Sequence, residues 1–156
     1  MIKTAGLVVA VPTIASSVHA LPRAGKESLV KANMAAVAAH FHNESTSDVD
    51  AACALYTDDI VWEAPARNLL YKGKESVAAH YRKIFKSMEH LEFQNFQRFA
   101  TEDRVFDDTL VHCVVTGTDF LPVPVGSKVE LRLVHMFEMR DGKIAKETAF
   151  EMWKVV

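Results

Sequence analysis

The sequence predicts an α+β fold, with helices on one face of an antiparallel sheet. Three observations carry this reading. Early in the chain, apolar residues recur at helical spacing, at Leu29, Val30, Met34, Val37 and Phe41. Near its end they alternate with period two, at Val129, Leu131, Leu133, Phe137 and Met139. The order of elements is helix, helix, strand, helix, and then strands to the end.

The bulk numbers fit one ordinary domain. The chain has 156 residues, enough to bury a core without staples. It is 49% hydrophobic and 24% charged, with a net charge of -2 and no basic run. That makes nucleic acid a poor candidate partner and suits a protein that acts on something small. Cys53 and Cys113 lie in different elements and read as small buried residues, although sequence does not decide whether they pair. No Cys-x-x-Cys or His-x-x-x-His pair is present, so neither a metal nor another cofactor is expected.

Residues 1–25 differ from the rest. Lys3 precedes an uncharged, mainly apolar run from Thr4 to Val18, and Val18-His19-Ala20 offers small residues where a signal peptidase reads. The expectation is a signal peptide cleaved after Ala20 and an exported protein, periplasmic or secreted; uncleaved, the protein stays cytoplasmic. Pro12 interrupts the run, which is too short for a membrane span. The folded domain is then 26–156.

Glu27 to His42 forms the first helix. The segment Asn43 to Asp48 breaks it, and Ser45, Thr46 or Ser47 can cap a shorter second helix in "DVDAACALY". Asn43-Glu44-Ser45 reads either as a glycosylation sequon or as a turn. "DDIVWEAP" is a strand stopped by Pro65, and "ARNLLYKG" is a loop. A third helix spans Glu75 to Met88, with Val77, Tyr81, Ile84 or Phe85, and Met88 in one stripe. Strands follow in "LEFQNFQRF" and, after a turn around Asp107-Asp108, in "TLVHCVVTGTDF". "LPVPVGS" is a loop, and the last two strands meet at a tight turn at Asp141-Gly142.

One histidine, His135, sits on the apolar face of the penultimate strand, and Glu151 stands between Phe150 and Met152 on the last. An imidazole titrates near neutrality, and a carboxylate drawn from water can act as a base near pH 7. Together they could move a proton beside a carbonyl. Counting from the turn leaves open whether Glu147 or Glu151 faces inward. His112 lies on a strand with apolar residues on both faces, so its direction stays open. Trp62, Tyr81 and Phe137 could wall a pocket. His80 and His90 read as surface residues, and Glu130 and Arg132 fall on the face opposite His135.

The strand entry "LYTDDIVWEAP", the helix "GKESVAAHYRKIF" opened at Gly73, and the hairpin "HMFEMRDGKIAKETAFE" occur in an order that resembles the nuclear transport factor 2-like superfamily, and within it the SnoaL-like group. The resemblance covers about residues 28–154. It implies a cone-shaped fold, a curved sheet wrapped around three helices, with a deep pocket between them and a homodimer through the outer sheet face. Members include polyketide cyclases, an isomerase, a dehydratase, an epoxide hydrolase and binding-only modules, so fold alone does not settle function. The resemblance implies His135 and Glu151 as the acid–base pair, with glutamate where aspartate is common and so a carboxylate one methylene further out. Trp62, Tyr81, His112 and Phe137 are then the expected contacts to a compact, mainly apolar carbonyl compound. The epoxide-hydrolase arrangement needs an inward Asp-Arg-Asp set, for which Asp119 and Arg132 are the nearby candidates. A non-catalytic ligand-binding or dimerisation module is the alternative.

Overall fold

The computed structural model describes residues 23–156. Residues 1–22 of the expected leader lie outside the described residues, and its last three fall in the first helix. Among the described residues there are three α-helices: α1 (Arg23–Ser45), α2 (Val49–Ala54) and α3 (Lys74–Lys86). Six strands accompany them: β1 (Tyr56–Ala64), β2 (Leu69–Lys72), β3 (Met88–Ala100), β4 (Arg104–Val115), β5 (Lys128–Arg140) and β6 (Lys143–Val155). They form one curved, unclosed sheet in the order β2-β1-β6-β5-β4-β3. None of the described helices is long and apolar enough to cross a membrane.

The sheet corrects the expectation of a wholly antiparallel arrangement, because β1 pairs with β6 in parallel and the sheet is mixed. Helix α1 also runs through the expected break, taking in Asn43, Glu44 and Ser45. The cap of α2 is Asp48, whose carboxylate accepts the Ala51 N–H at 3.0 Å. The expected loop after Pro65 holds a short turn and then β2, hairpinned onto β1. Asn68 makes that turn by adopting φ 54°, a left-handed conformation that asparagine tolerates. Asp107 and Asp108 are not a turn but the interior of β4; the β3–β4 turn lies at 101–103.

The β5–β6 hairpin matches its prediction. Asp141 and Gly142 take φ 53° and 74°, the positive angles of a two-residue hairpin turn. Strict alternation then sends odd-numbered side chains of β4 and β5 toward the helices. There Phe41, Tyr56, Ile60, Val77, Val111, Leu131, Phe137 and Ile144 close the core. Burying each large apolar side chain stabilises the fold by about 1.5–3 kcal/mol. The outer sheet face stays apolar in places, with Met136 48% and Met152 54% exposed and Phe150 between them.

Gly117 fixes the loop between β4 and β5. A Cβ there would stand 2.9 Å from Ser87 Oγ, so only glycine lets the loop lie against the end of α3. Three residues on, Phe120 is thereby brought over the inner face, where it is buried.

Candidate active site

A cavity opens between the helices and the inner sheet face. Its volume is about 40 Å³. That is room for a few waters. Its polar wall is Glu44 of α1, Tyr81 of α3, His135 of β5 and Glu151 of β6. The rest is apolar, with Trp62, Phe85, Phe93 and Phe120 prominent.

Of the residues singled out in the sequence, His135, Glu151, Trp62 and Tyr81 therefore line one cavity. Phe137 does not. It is fully buried behind the wall, with its ring 5.5 Å from that of His135 and 6.0 Å from that of Phe41. His112 must be corrected: even positions of β4 point outward, and its side chain is 43% exposed, 3.9 Å from Glu130. Asp119 and Arg132 do not form an inward set either, since Arg132 holds Asp108 on the outer face and lies over the Phe96 ring.

The β5–β6 register answers which glutamate faces inward, and the answer is both. His135 stands opposite Ala149, with Glu147 opposite Phe137 and Glu151 opposite Leu133. No bulge separates the two glutamates, so they share a face and flank His135 diagonally.

On one flank is a buried network. Glu147 Oε1 lies 3.5 Å from His135 Nε2 and accepts the Tyr81 hydroxyl at 2.9 Å. Its Oε2 accepts the Tyr56 hydroxyl at 2.6 Å and is 3.6 Å from His40 Nε2. His40 Nε2 in turn is 3.0 Å from Glu44 Oε1. Burial opposes charge on His40, but the Glu44 carboxylate and, behind it, Glu147 prevail and push its pKa up to about 9. Burial likewise works against the charge on Glu44, yet the His40 cation overcomes it and holds the carboxyl below its usual range. Burial, and then the charge of Glu147, drives the hydroxyls of Tyr56 and Tyr81 well above the ordinary phenol value, so both act as donors.

On the other flank, Glu151 Oε2 accepts from Arg67 Nη1 at 2.7 Å, and Arg67 Nη2 donates to the Phe120 carbonyl at 2.5 Å. The guanidinium also lies 4.9 Å from the Phe120 ring centroid. One arginine thus ties the turn after β1, the Phe120 loop and the end of β6 together.

Two other buried groups stand apart. Asp107 accepts from Arg98 Nε at 2.6 Å, Asn95 Nδ2 at 2.7 Å and Thr109 Oγ1 at 2.6 Å. His80 is not a surface residue: it is sandwiched between Tyr71 at 4.1 Å and Trp62 at 4.6 Å. Burial, helped by Arg67 and Lys83, presses its pKa down to about 4.

Ligand atoms of His40, Glu44 and Glu147 lie within 4.8 Å of one another, close enough to surround a cation. They are already spent on each other and on the hydroxyls of Tyr56 and Tyr81. The set fits a proton better than a metal ion.

Sequence reading missed Glu44, His40, Tyr56 and Arg67. His40 and Glu44 did carry a signal, the i,i+4 spacing of an imidazole and a carboxylate on one helix.

A family model described as a SnoaL-like domain matches residues 30–147. No curated protein matches significantly. Among solved structures, a candidate polyketide cyclase from Xanthomonas campestris pv. campestris is 22% identical, with a TM-score of 0.66 over 78% of this chain and 91% of that one. The epoxide hydrolase/cyclase-like enzyme SalBIII, of pyran ring formation in the polyether salinomycin, is 17% identical, with a TM-score of 0.68 over 81% and 97%. An LEH-like epoxide hydrolase from M. tuberculosis is 17% identical, with a TM-score of 0.62 over 82% and 85%. At these identities the likeness is one of fold.

Proposed function

The chain belongs to the SnoaL-like domain family, and on that premise we propose that it is a small enzyme moving protons on a compact, mainly apolar carbonyl compound. The observation that carries this reading is that His135 and Glu151, on adjacent strands, line one apolar cavity. His135 Nε2 faces Glu147, while its Nδ1 has no protein partner. Keeping the ring proton on Nε2 toward the carboxylate leaves the Nδ1 lone pair to serve as base. Glu151, fixed by Arg67, is the second acid–base group. Such a pair suits a double-bond shift or an intramolecular closure, neither of which requires a covalent nucleophile. Substrate entry displaces side chains such as Phe120, because the space at rest holds a few waters.

The narrowness of the cavity is also what favours the second reading, a binding module of the same fold. Cyclohex-3-enone separates the two. Its conversion to cyclohex-2-enone, followed by the absorbance of the conjugated product, should be accelerated by the protein and lost in His135→Ala and Glu151→Gln. Binding without conversion across a panel of compact cyclic ketones supports the module instead.

Two further features belong to the proposal. The apolar outer face around Met136, Phe150 and Met152 pairs with a second copy of the chain. The leader directs export, with cleavage after Ala20; amino-terminal sequencing of native protein should begin at Leu21, and an intact Met1 would refute export.

A further inference from the structure

Charge does not balance around the cavity. Three carboxylates stand on its wall or directly behind it: Glu44 and Glu151 line it, and Glu147 is fully buried against His135 and Tyr81. Two cations answer them among the described residues. His40 faces Glu44 and Glu147, and Arg67 pairs with Glu151. The remaining buried carboxylate, Asp107, has its own cation in Arg98. Tyr56 and Tyr81 keep their protons, and His80 is neutral. A neutral His135, which a base requires, adds nothing. One negative charge is left uncompensated away from water, which is costly.

His135 supplies a second, independent observation. It is 5% exposed and lines the cavity, yet its Nδ1 has no hydrogen-bond partner. With the ring proton on Nε2 toward Glu147, Nδ1 is an acceptor without a donor. An occupant that brings both a positive charge and an N–H answers both deficits, and a neutral ketone brings neither. The apolar wall suits such an occupant too, because aromatic rings pack against hydrocarbon and also attract cations.

We propose that the cavity selects a compact protonated amine, whose ammonium N–H donates to His135 Nδ1 and whose charge is set against Glu44 and Glu151. Its hydrocarbon body lies among Trp62, Phe85, Phe93 and Phe120. The resting space bounds its size, so Phe120 gives way to a five-membered ring as it does to a substrate. A carboxylate of the same shape is repelled. The inference rests on the cavity and the neutral His135 of the acid–base reading, but not on turnover, and no bond is made or broken. An amine held at Nδ1 occupies the lone pair that the reaction needs. It should therefore inhibit conversion of cyclohex-3-enone in competition with the ketone.

Cyclopentylamine, cyclopentanol and cyclopentanecarboxylate share one ring and differ in charge. Each is titrated into the full chain at about pH 8, where alkylamines are protonated, with the histidine ring nitrogens followed by NMR. The amine should bind about tenfold or more tighter than the alcohol and should move the His135 nitrogen signals, and the carboxylate should not bind. Glu151→Gln removes one carboxylate and leaves Arg67 charged, so the site is then balanced. In that variant the amine should lose its advantage while the alcohol still binds. An amine that binds wild-type protein no tighter than the alcohol, or that leaves the His135 signals unmoved, would overturn the inference, and this comparison depends on no variant. An advantage that survives Glu151→Gln in full would overturn it as well. Selective amine binding without any turnover of cyclohex-3-enone refutes the enzyme reading alone, and turnover without amine preference refutes this inference alone.

Discussion

Arg67 reaches 2.7 Å from Glu151 and, with its other nitrogen, 2.5 Å from the Phe120 carbonyl. The Glu151 side chain is almost fully buried, with Arg67 as its ion-pair partner. Arg67→Met leaves a buried carboxylate alone and should destabilise the fold by about 2–4 kcal/mol in urea denaturation. The double variant Arg67→Met with Glu151→Gln should recover part of that loss, because no charge is then stranded.

Stability should peak near pH 6.5 and fall on both sides. His40 has its pKa raised from 6.5 to about 9, so its contribution is complete below pH 6.5 and is lost as pH rises through 9. His80 has its pKa lowered from 6.5 to about 4, so a penalty grows as pH falls from 6.5 toward 4. Glu44, lowered by the same His40 contact, adds a further loss as pH falls below 4.5 through its folded value. Thermal melts across pH 4–10 check this, and two variants separate the limbs. His80→Phe should flatten the acid limb, and His40→Asn the alkaline one.

Asp107 is buried and accepts three side-chain hydrogen bonds, one of them charged. Asp107→Ala strands the Arg98 guanidinium over the Phe41 ring and should cost about 3–5 kcal/mol. Asp107→Asn, which keeps the shape, should cost visibly less. Equal losses for the two would mean that charge plays no part.

The outer face supplies a fourth test. Met152 lies in a groove beside Leu110 and Arg132, with Met136 and Phe150 on the same side of the sheet. Met152→Glu should convert a dimer to a monomer in light scattering with little change in the melt, since the side chain is exposed. A wild-type chain that is monomeric at every concentration would remove the pairing altogether.

Much of the site was legible where one rule governed. The Asp141-Gly142 turn and period-two alternation put His135 inside, and the same alternation, applied over four residues, puts Glu147 and Glu151 on one face. The limits were physical too. "NESTSD" is rich in capping residues, which hid Glu44 in a turn, whereas tertiary packing carries α1 through it. His112 sits on a strand whose odd residues are buried and whose even ones are half-covered by neighbours, so composition could not tell its faces apart. His80 lies three residues from Val77 and four from Ile84, on the buried stripe of α3, and its polarity outweighed its position. Parallel pairing of β1 with β6 has no local signature, because a parallel pair is joined by whatever lies between its strands.

That pairing also governs when the protein can fold. Glu63 and Thr148, 85 residues apart, hydrogen-bond at 2.9 Å across the β1–β6 seam, and Glu147 reaches Tyr56 from the same strand. Among the described residues, the last strand is therefore the interior partner of the first. As the chain leaves the ribosome, β1 and β2 can form only an isolated hairpin, which is marginal in water. The half-made protein waits with Trp62 and Tyr56 uncovered until β6 emerges, and its slowest step should be the capture of β1 by β6.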